Sequence, residues 1–292
     1  MTQSPRLWLE GARPRTLALS VGPVLVGTAA AVGQAPIVWW RLVAALVVAF
    51  ALQVGVNYAN DYSDGVRGTD TAERIGPVRL TASGLVAPER VRLAAGVAFT
   101  VAAVAGLALA VAVDLRLLLV GAAAIAAAVL YTGGPRPYGY SGFGELAVLV
   151  FFGLVATCGS AYVQAGRVPA AAWPGAVTAG LLAVAVLLAN NVRDLDTDAE
   201  AGKRTLAVRL GRPASRAAFV LAVAGAFGAV AALGVARPAA LVALLAAPLA
   251  IDPVARVLRR TDGPGLIGAL VGTVRLQLAT CLLLAGALWA SG

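Results

Sequence analysis

Long apolar runs alternate with short polar interruptions from about residue 16 to the end of the chain. A hydrocarbon core about 30 Å thick takes roughly 20 apolar residues wound as a helix. The runs predict nine such helices, at 16–33, 37–59, 91–113, 115–132, 143–165, 174–192, 214–235, 239–257 and 267–290. Their connections are tight at 34–36, 113–115 and 235–238, and long and polar at 60–90 and 193–213. This pattern predicts an all-α integral membrane protein, with 1–292 as one transmembrane domain. Polar clusters close the second and the sixth helix, so the chain reads as two pseudo-repeats, about 16–132 and 143–257, followed by a ninth helix.

Composition agrees with the pattern. Hydrophobic residues make up 60% of the chain, charged residues 13%, and the mean hydropathy is +0.85, against about 25% charged residues in a soluble domain. No cleavable signal is expected, because Arg6, Trp8 and Glu10 occupy the segment before the first apolar run. The net charge of +9 could suggest nucleic acid, but arginine-rich cytoplasmic loops explain it better, and no nucleic-acid partner is expected. With the N-terminus inside, 18 of the 23 basic residues fall on the inner side, and only Arg41, Arg116, Arg167 and Arg237 fall outside. The positive-inside rule therefore predicts an N-in, C-out topology, and Trp39, Trp40, Trp173 and Trp289 then land near the outer interface.

The two polar clusters are alike: Asn57-Tyr-Ala-Asn60-Asp61-Tyr-Ser-Asp64 and Asn190-Asn191-Val-Arg193-Asp194-Leu-Asp196-Thr-Asp198. Carboxylates at the end of a membrane helix are costly and usually functional. At about 100° per residue, Asn57, Asn60, Asp61 and Asp64 share one arc of a helix. Asn190, Asn191, Asp194 and Asp198 do likewise, while Asp196 points away. Clustered carboxylates repel unless a positive charge stands between them. Mg²⁺ suits them, since it takes oxygen ligands and is commonly held by a few carboxylates together with substrate phosphates. Arg67, Arg74 and Arg79 follow the first cluster, and Lys203, Arg204 and Arg209 follow the second, ready to meet such phosphates. The plain alternative is a pair of solvated loops with helix-capping Asp and Asn.

A third polar stretch, Tyr131-Thr-Gly-Gly-Pro-Arg136-Pro-Tyr138-Gly-Tyr140, falls on the same side. It reads as a Gly/Pro turn with interfacial tyrosines, in which Arg136 is a further candidate phosphate contact. The chain has no His, which removes the usual general base. Cys158 and Cys281 lie inside apolar runs and read as buried small hydrophobes.

At these residues the chain resembles the UbiA superfamily of membrane prenyltransferases. The superfamily's two aspartate motifs correspond to Asn60-Asp61-Tyr-Ser-Asp64 and Asp194-Leu-Asp-Thr-Asp198. Four longer strings resemble its menaquinone branch, whose members are 1,4-dihydroxy-2-naphthoate polyprenyltransferases: Asn60 to Asp70, Arg74-Ile-Gly-Pro77, Arg136-Pro-Tyr-Gly-Tyr140 and Ala201 to Gly211. The resemblance runs from about Trp8 to the last apolar run.

It implies nine transmembrane helices around a central cavity, a Mg²⁺-bound allylic diphosphate, and a polyprenyl tail in an apolar groove reaching the lipid bilayer. It also implies that Asn60, Asp61, Asp64, Asp194 and Asp198 serve the metal and the diphosphate, with Lys203 and Arg204 as diphosphate partners. Arg67 and Arg136 join that group as bases on the same side. Many relatives carry a Lys after the fourth helix, where this chain offers Arg136 and Tyr138. Asn57, Arg79, Tyr131, Tyr138, Asn190 and Asn191 are the candidates for holding substrate, with Arg79 or Arg136 able to grip the acceptor's carboxylate.

The implied reaction is Mg²⁺-dependent transfer of a polyprenyl group from polyprenyl diphosphate to 1,4-dihydroxy-2-naphthoate, with loss of CO₂ and diphosphate. It would occur at the cytoplasmic face of a bacterial inner membrane. Rival readings are 4-hydroxybenzoate as acceptor, or a cation transporter. A transporter places its carboxylates on broken helices near the bilayer midplane, whereas these lie at helix ends. A CDP-alcohol phosphotransferase needs a dense Asp-Gly/Ala-Arg motif that the chain lacks.

Overall fold

The structure, a computed structural model, describes residues 4–69 and 78–292. The Arg74-Ile-Gly-Pro77 string and Asp70 lie outside the described residues. Within them every regular element is helical. In chain order these are α1 (Pro5–Gly11), α2 (Val21–Ala30), α3 (Trp39–Arg67), α4 (Pro88–Ala112), α5 (Leu117–Leu130), α6 (Gly144–Ala165), α7 (Ala172–Arg193), α8 (Leu195–Glu200), α9 (Leu206–Ala236), α10 (Pro238–Arg259) and α11 (Gly263–Ala290). Seven of them, α3, α4, α6, α7, α9, α10 and α11, are long and apolar enough to cross a membrane.

The first and fourth expected spans differ from a single long helix. The first is broken: two short turns, Pro14–Leu17 and Ala18–Ser20, lead into α2. Pro23 has no N–H to give the Leu19 carbonyl four residues back, and the Gln277 amide of α11 donates to that carbonyl instead, at 3.4 Å. The fourth, α5, has 14 residues. The Asp114–Arg116 pair stands before it, and Gly133-Gly134-Pro135 follows.

Small residues set the spacing of the helices. A Cβ on Gly27 of α2 would stand 2.0 Å from the Thr157 carbonyl oxygen of α6. One on Gly180 of α7 would stand 2.9 Å from Gly153 Cα of α6. Backbones that approach this closely replace hydrophobic driving force with dense van der Waals contact, as membrane interiors require. α7 runs through the middle, packed by α9, α11 and α6, around a core that includes Leu182, Leu188, Phe219, Leu266 and Leu276. Cys158 and Cys281 are buried and unbridged, as their apolar settings suggested.

Both polar clusters sit at the C-terminal ends of their helices, α3 and α7, and face one cavity. The start of α3 meets the end of α11 at the other end of the molecule, where the Trp39 and Trp289 rings lie 5.7 Å apart. Beneath the cluster end, α1 is stitched to α3: the Tyr58 hydroxyl donates to the Trp8 carbonyl at 2.7 Å, and the Asn57 amide to the Ala12 carbonyl at 2.8 Å. Residues Leu149–Val155 within α6 are wound as a π-helix, a form frequent at functional sites, and bring Phe151, Phe152 and Val155 to the cavity wall.

Candidate active site

α3 stays helical through its polar cluster, so the three- and four-residue spacing places Asn57, Asn60 and Asp64 on one buried face toward the cavity. Asn60 Oδ1 accepts a hydrogen bond from the Thr132 hydroxyl at 2.8 Å. Asp64 gathers three partners. Its Oδ1 accepts from the Tyr140 hydroxyl, while Oδ2 stands 3.6 Å from Lys203 Nζ and 3.7 Å from Arg79 Nη2. Burial, and then the Asp64 charge, push the Tyr140 phenol above its ordinary pKa, so it stays a proton donor.

Asp61 behaves differently from the helical projection. Its two oxygens accept from the backbone N–H groups of Leu80 and Thr81, both at 2.8 Å, and it is not on the cavity wall. The reason is a contact beyond the helix: a segment returning before α4 brings two donors that need acceptors, and Asp61 supplies both.

The second cluster is not one continuous helix. α7 ends at Arg193, Asp194 forms the corner, and α8 carries Asp198. Arg193 grips Asp194 through Nε and Nη2, both at 2.6 Å, and Nη2 also donates to Asn190 Oδ1 at 2.9 Å. Such bidentate pairing fixes a carboxylate's plane as well as its charge. Asn191 is also on the cavity wall, and its amide donates to Glu145 Oε1 at 2.8 Å. Asp196 is exposed and paired with Arg212 at 2.7 Å, in keeping with its outward projection.

Past α8 the chain turns at Gly202, whose φ of +75° suits a residue without a side chain. That turn swings Lys203 inward. Its ammonium is 3.6 Å from Asp64 Oδ2, 3.9 Å from Asp198 Oδ1 and 4.9 Å from the centre of the Tyr140 ring. One lysine therefore bridges carboxylates from the two halves of the chain.

The cavity behind this bridge encloses about 860 Å³, and most of its wall is apolar, including Val48, Leu52, Phe151, Phe152 and Leu270. Tyr131 and Tyr138 stand edge to face on the wall, with centroids 5.4 Å apart. Burial pushes the Tyr138 phenol up to about 12, and its hydroxyl donates to the Ala127 carbonyl at 2.9 Å. Of the four bases expected at a diphosphate, only Lys203 is on the wall. Arg67, Arg136 and Arg204 have exposed side chains outside it; the Arg67 guanidinium donates to the Gly134 carbonyl and lies 5.7 Å from the Tyr140 ring centre.

A family model described as the UbiA prenyltransferase family matches residues 20–271. The chain belongs to the UbiA prenyltransferase family. It is 50% identical over 283 residues to the 1,4-dihydroxy-2-naphthoate octaprenyltransferase of Mycobacterium tuberculosis, covering 96% of each chain. It is 40% identical to the Escherichia coli protein of the same name, covering 94% of this chain and 92% of that one. A UbiA homolog from Aeropyrum pernix K1 superimposes with a TM-score of 0.71 at 17% identity, over 93% of this chain and 96% of that one. A UbiA homolog from Archaeoglobus fulgidus bound to DMAPP and Mg²⁺ superimposes with a TM-score of 0.58 at 13% identity, over 95% and 98%.

Within this UbiA fold the donor set is made of oxygens, and among the described residues no three carboxylates converge closely enough to hold an ion by themselves. That fits Mg²⁺, which is commonly held by one or two carboxylates and completed by substrate phosphates and water. It does not fit a soft metal. Four neighbours of the site are not among the candidate site residues of the sequence: Thr132, Tyr140 and Arg193, which stand inside the quoted polar stretches, and Glu145. Arg193 directly precedes Asp194, and that adjacency was the available signal. Glu145 opens an apolar run, and its charge alone could have marked it.

Proposed function

We infer that this UbiA prenyltransferase transfers a polyprenyl group from polyprenyl diphosphate to 1,4-dihydroxy-2-naphthoate, releasing diphosphate and CO₂ and giving the demethylmenaquinol precursor of menaquinone. Relatives at 40–50% identity over more than nine-tenths of the chain support the acceptor. The observation that carries the chemistry is Lys203 between Asp64 and Asp198, at the polar end of an otherwise apolar cavity. Such a site takes an ionic head at one end and an isoprenoid chain along the rest.

Asp64, Asp194 and Asp198, with Asn60 beside them, would hold Mg²⁺ together with the diphosphate oxygens and water, and the metal when bound draws charge off the departing diphosphate. Lys203 and Arg79 add fixed positive charge where that anion develops, and the Tyr140 hydroxyl offers it a proton donor. Arg67, Arg136 and Arg204 stand farther out and attract the diphosphate as it enters. The apolar wall keeps water from the allylic carbon as the C–O bond breaks. Asn57, Asn190, Asn191, Tyr131 and Tyr138 line the remaining wall for the aromatic ring, whose electron-rich carbon forms the new C–C bond as carboxylate is lost. Asp61 serves the site through the 78–81 segment that carries Arg79.

In the membrane, nine helical passes are assigned, with the 14–30 segment and α5 completing the seven long helices. The N-terminus is placed inside, the C-terminus outside and the site at the cytoplasmic face of a bacterial inner membrane. The basic residues support this orientation, and the two aspartate-bearing helix ends support two pseudo-repeats.

Membranes carrying the protein, given radiolabelled polyprenyl diphosphate and Mg²⁺, test the reading. The expected result is a naphthoate product with equimolar CO₂ and little product from 4-hydroxybenzoate. Preferential prenylation of 4-hydroxybenzoate would overturn the acceptor assignment.

A further inference from the structure

Glu145 is a buried carboxylate that the chemistry above does not use. It lies in the first turn of α6 and is 7% exposed. Its Oε1 accepts from the Asn191 amide at 2.8 Å, and its Oε2 is buried without a hydrogen-bond partner. An unmatched buried oxygen is expensive, and a buried polar group left this way calls for a reason. A residue needed only to bridge α6 and α7 could be apolar.

The reason lies in what a carboxylate cannot do. Ionised, it accepts hydrogen bonds and does not donate them, and the Asn191 amide accordingly presents its NH₂ to Glu145. Asn191 is on the cavity wall and Glu145 is behind it. The amide atom left for the cavity is then Oδ1, an acceptor. Asn191 precedes Asp194 by three residues, about 4.5 Å along a helix, which is a depth just inside the ionic end. Beside it, a Cβ on Gly144 would stand 3.1 Å from the Tyr131 hydroxyl, so that phenol rests against the backbone next to Glu145.

We propose that Glu145 is a positioning residue for the aromatic acceptor: it locks the Asn191 amide so that Oδ1 accepts a hydrogen bond from the acceptor's phenolic hydroxyl. That bond orients the ring and draws electron density from O–H into the attacking carbon. The proposal rests on the aromatic acceptor of the functional reading, and it adds the specific pair that recognises the hydroxyl.

The test uses the full-length protein in detergent, with steady-state KM values for both substrates. A parallel equilibrium titration uses 1-hydroxy-2-naphthoate, a fluorescent phenolic probe, in the presence of Mg²⁺ and inorganic diphosphate. Glu145→Ala is expected to raise acceptor KM and probe Kd about tenfold, the loss of one oriented hydrogen bond, with the KM of polyprenyl diphosphate within about twofold. In an Asn191→Ala background the same change adds little, since residues acting through one bond are not additive.

A second route avoids truncation. Asn191→Asp sets two acceptors face to face and is expected to weaken probe binding. Adding Glu145→Gln restores a donor–acceptor pair with an oxygen still facing the cavity and the same total charge, and binding is expected to recover. Unchanged acceptor constants in Glu145→Ala, parallel loss of both substrates, or no rescue by the swapped pair would each overturn the proposal. Titration needs no turnover: a wild type that prenylates no aromatic compound would end the functional reading, while the probe constants would still decide the Glu145–Asn191 pairing.

Discussion

Replacing Asp64 with Ala removes the carboxylate that Tyr140 donates to and a shared counter-charge of Lys203 and Arg79 at once. Prenyl transfer is expected to fall by about 10²-fold or more, the scale seen when a preorganised electrostatic group is lost. Asp194→Ala, which frees Arg193 from its bidentate partner, is expected to match it. Initial rates at saturating Mg²⁺ decide this, and either variant keeping more than about a tenth of wild-type turnover is incompatible with a site shared by both halves. Asp196→Ala is expected to cost little, because an exposed ion pair contributes about 0–1 kcal/mol.

Asp61→Ala separates holding a loop from holding a metal. It would leave the buried Leu80 N–H unsatisfied, at about 1–3 kcal/mol, and remove the acceptor from the part-buried Thr81 N–H. The expected result is faster proteolysis after residue 77 and a lower Tm, with the Mg²⁺ dependence of the remaining activity unchanged. A shifted Mg²⁺ midpoint with an intact Tm would return Asp61 to the metal.

Asp61 also marks where residue-level sequence reading stops. Spacing put Asn57, Asn60 and Asp64 on one face correctly. It could not reveal that Leu80 and Thr81, some twenty residues on, return to claim the fourth side chain.

At the scale of elements, apolar runs locate helices well because burial and backbone satisfaction act over whole turns. They say less about interruptions. The break before α2 depends on Pro23 and on a Gln277 side chain from the far end of the sequence. The corner at Asp194 turns a helical projection of the second cluster into two short arms, yet Asp196 still faces out. Packing distances were not legible either, since an Ala/Gly-rich run names no partner. Gly27 gives the sharpest case. A methyl there would stand 2.0 Å from the Thr157 carbonyl oxygen, so α2 and α6 must separate. Gly27→Ala is expected to cost about 1–3 kcal/mol, the usual range for overpacking, read as a lower Tm in detergent. An unchanged Tm would mean that the two backbones are farther apart.

For the whole molecule, orientation is the first test. Single cysteines at Ser83 and Glu200, both exposed at the cluster end, are introduced with Cys158 and Cys281 replaced by Ser. They are expected to react with a membrane-impermeant thiol reagent only from the cytoplasmic side. Labelling from outside would reverse the topology drawn from 18 inner-side bases out of 23 and the positive-inside rule.

Lys203 carries one more consequence. An ammonium shared by Asp64 and Asp198, with the Arg79 guanidinium also beside Asp64, means that these charges already balance one another. A divalent cation arriving alone must push that ammonium aside against mutual repulsion. A diphosphate arriving alone must settle beside two carboxylates. Arriving together, the cation takes the carboxylates and the anion takes the ammonium. The two affinities are therefore thermodynamically linked, and linkage is reciprocal: whatever factor diphosphate adds to Mg²⁺ binding, Mg²⁺ adds to diphosphate binding. Calorimetric titrations in both orders should return one coupling factor, and Lys203→Met should tighten Mg²⁺ binding without diphosphate while shrinking that factor. A factor of one in the wild type would remove the idea. Where it holds, free Mg²⁺ does not idle in the site, and the product diphosphate loosens its own hold as soon as the metal departs.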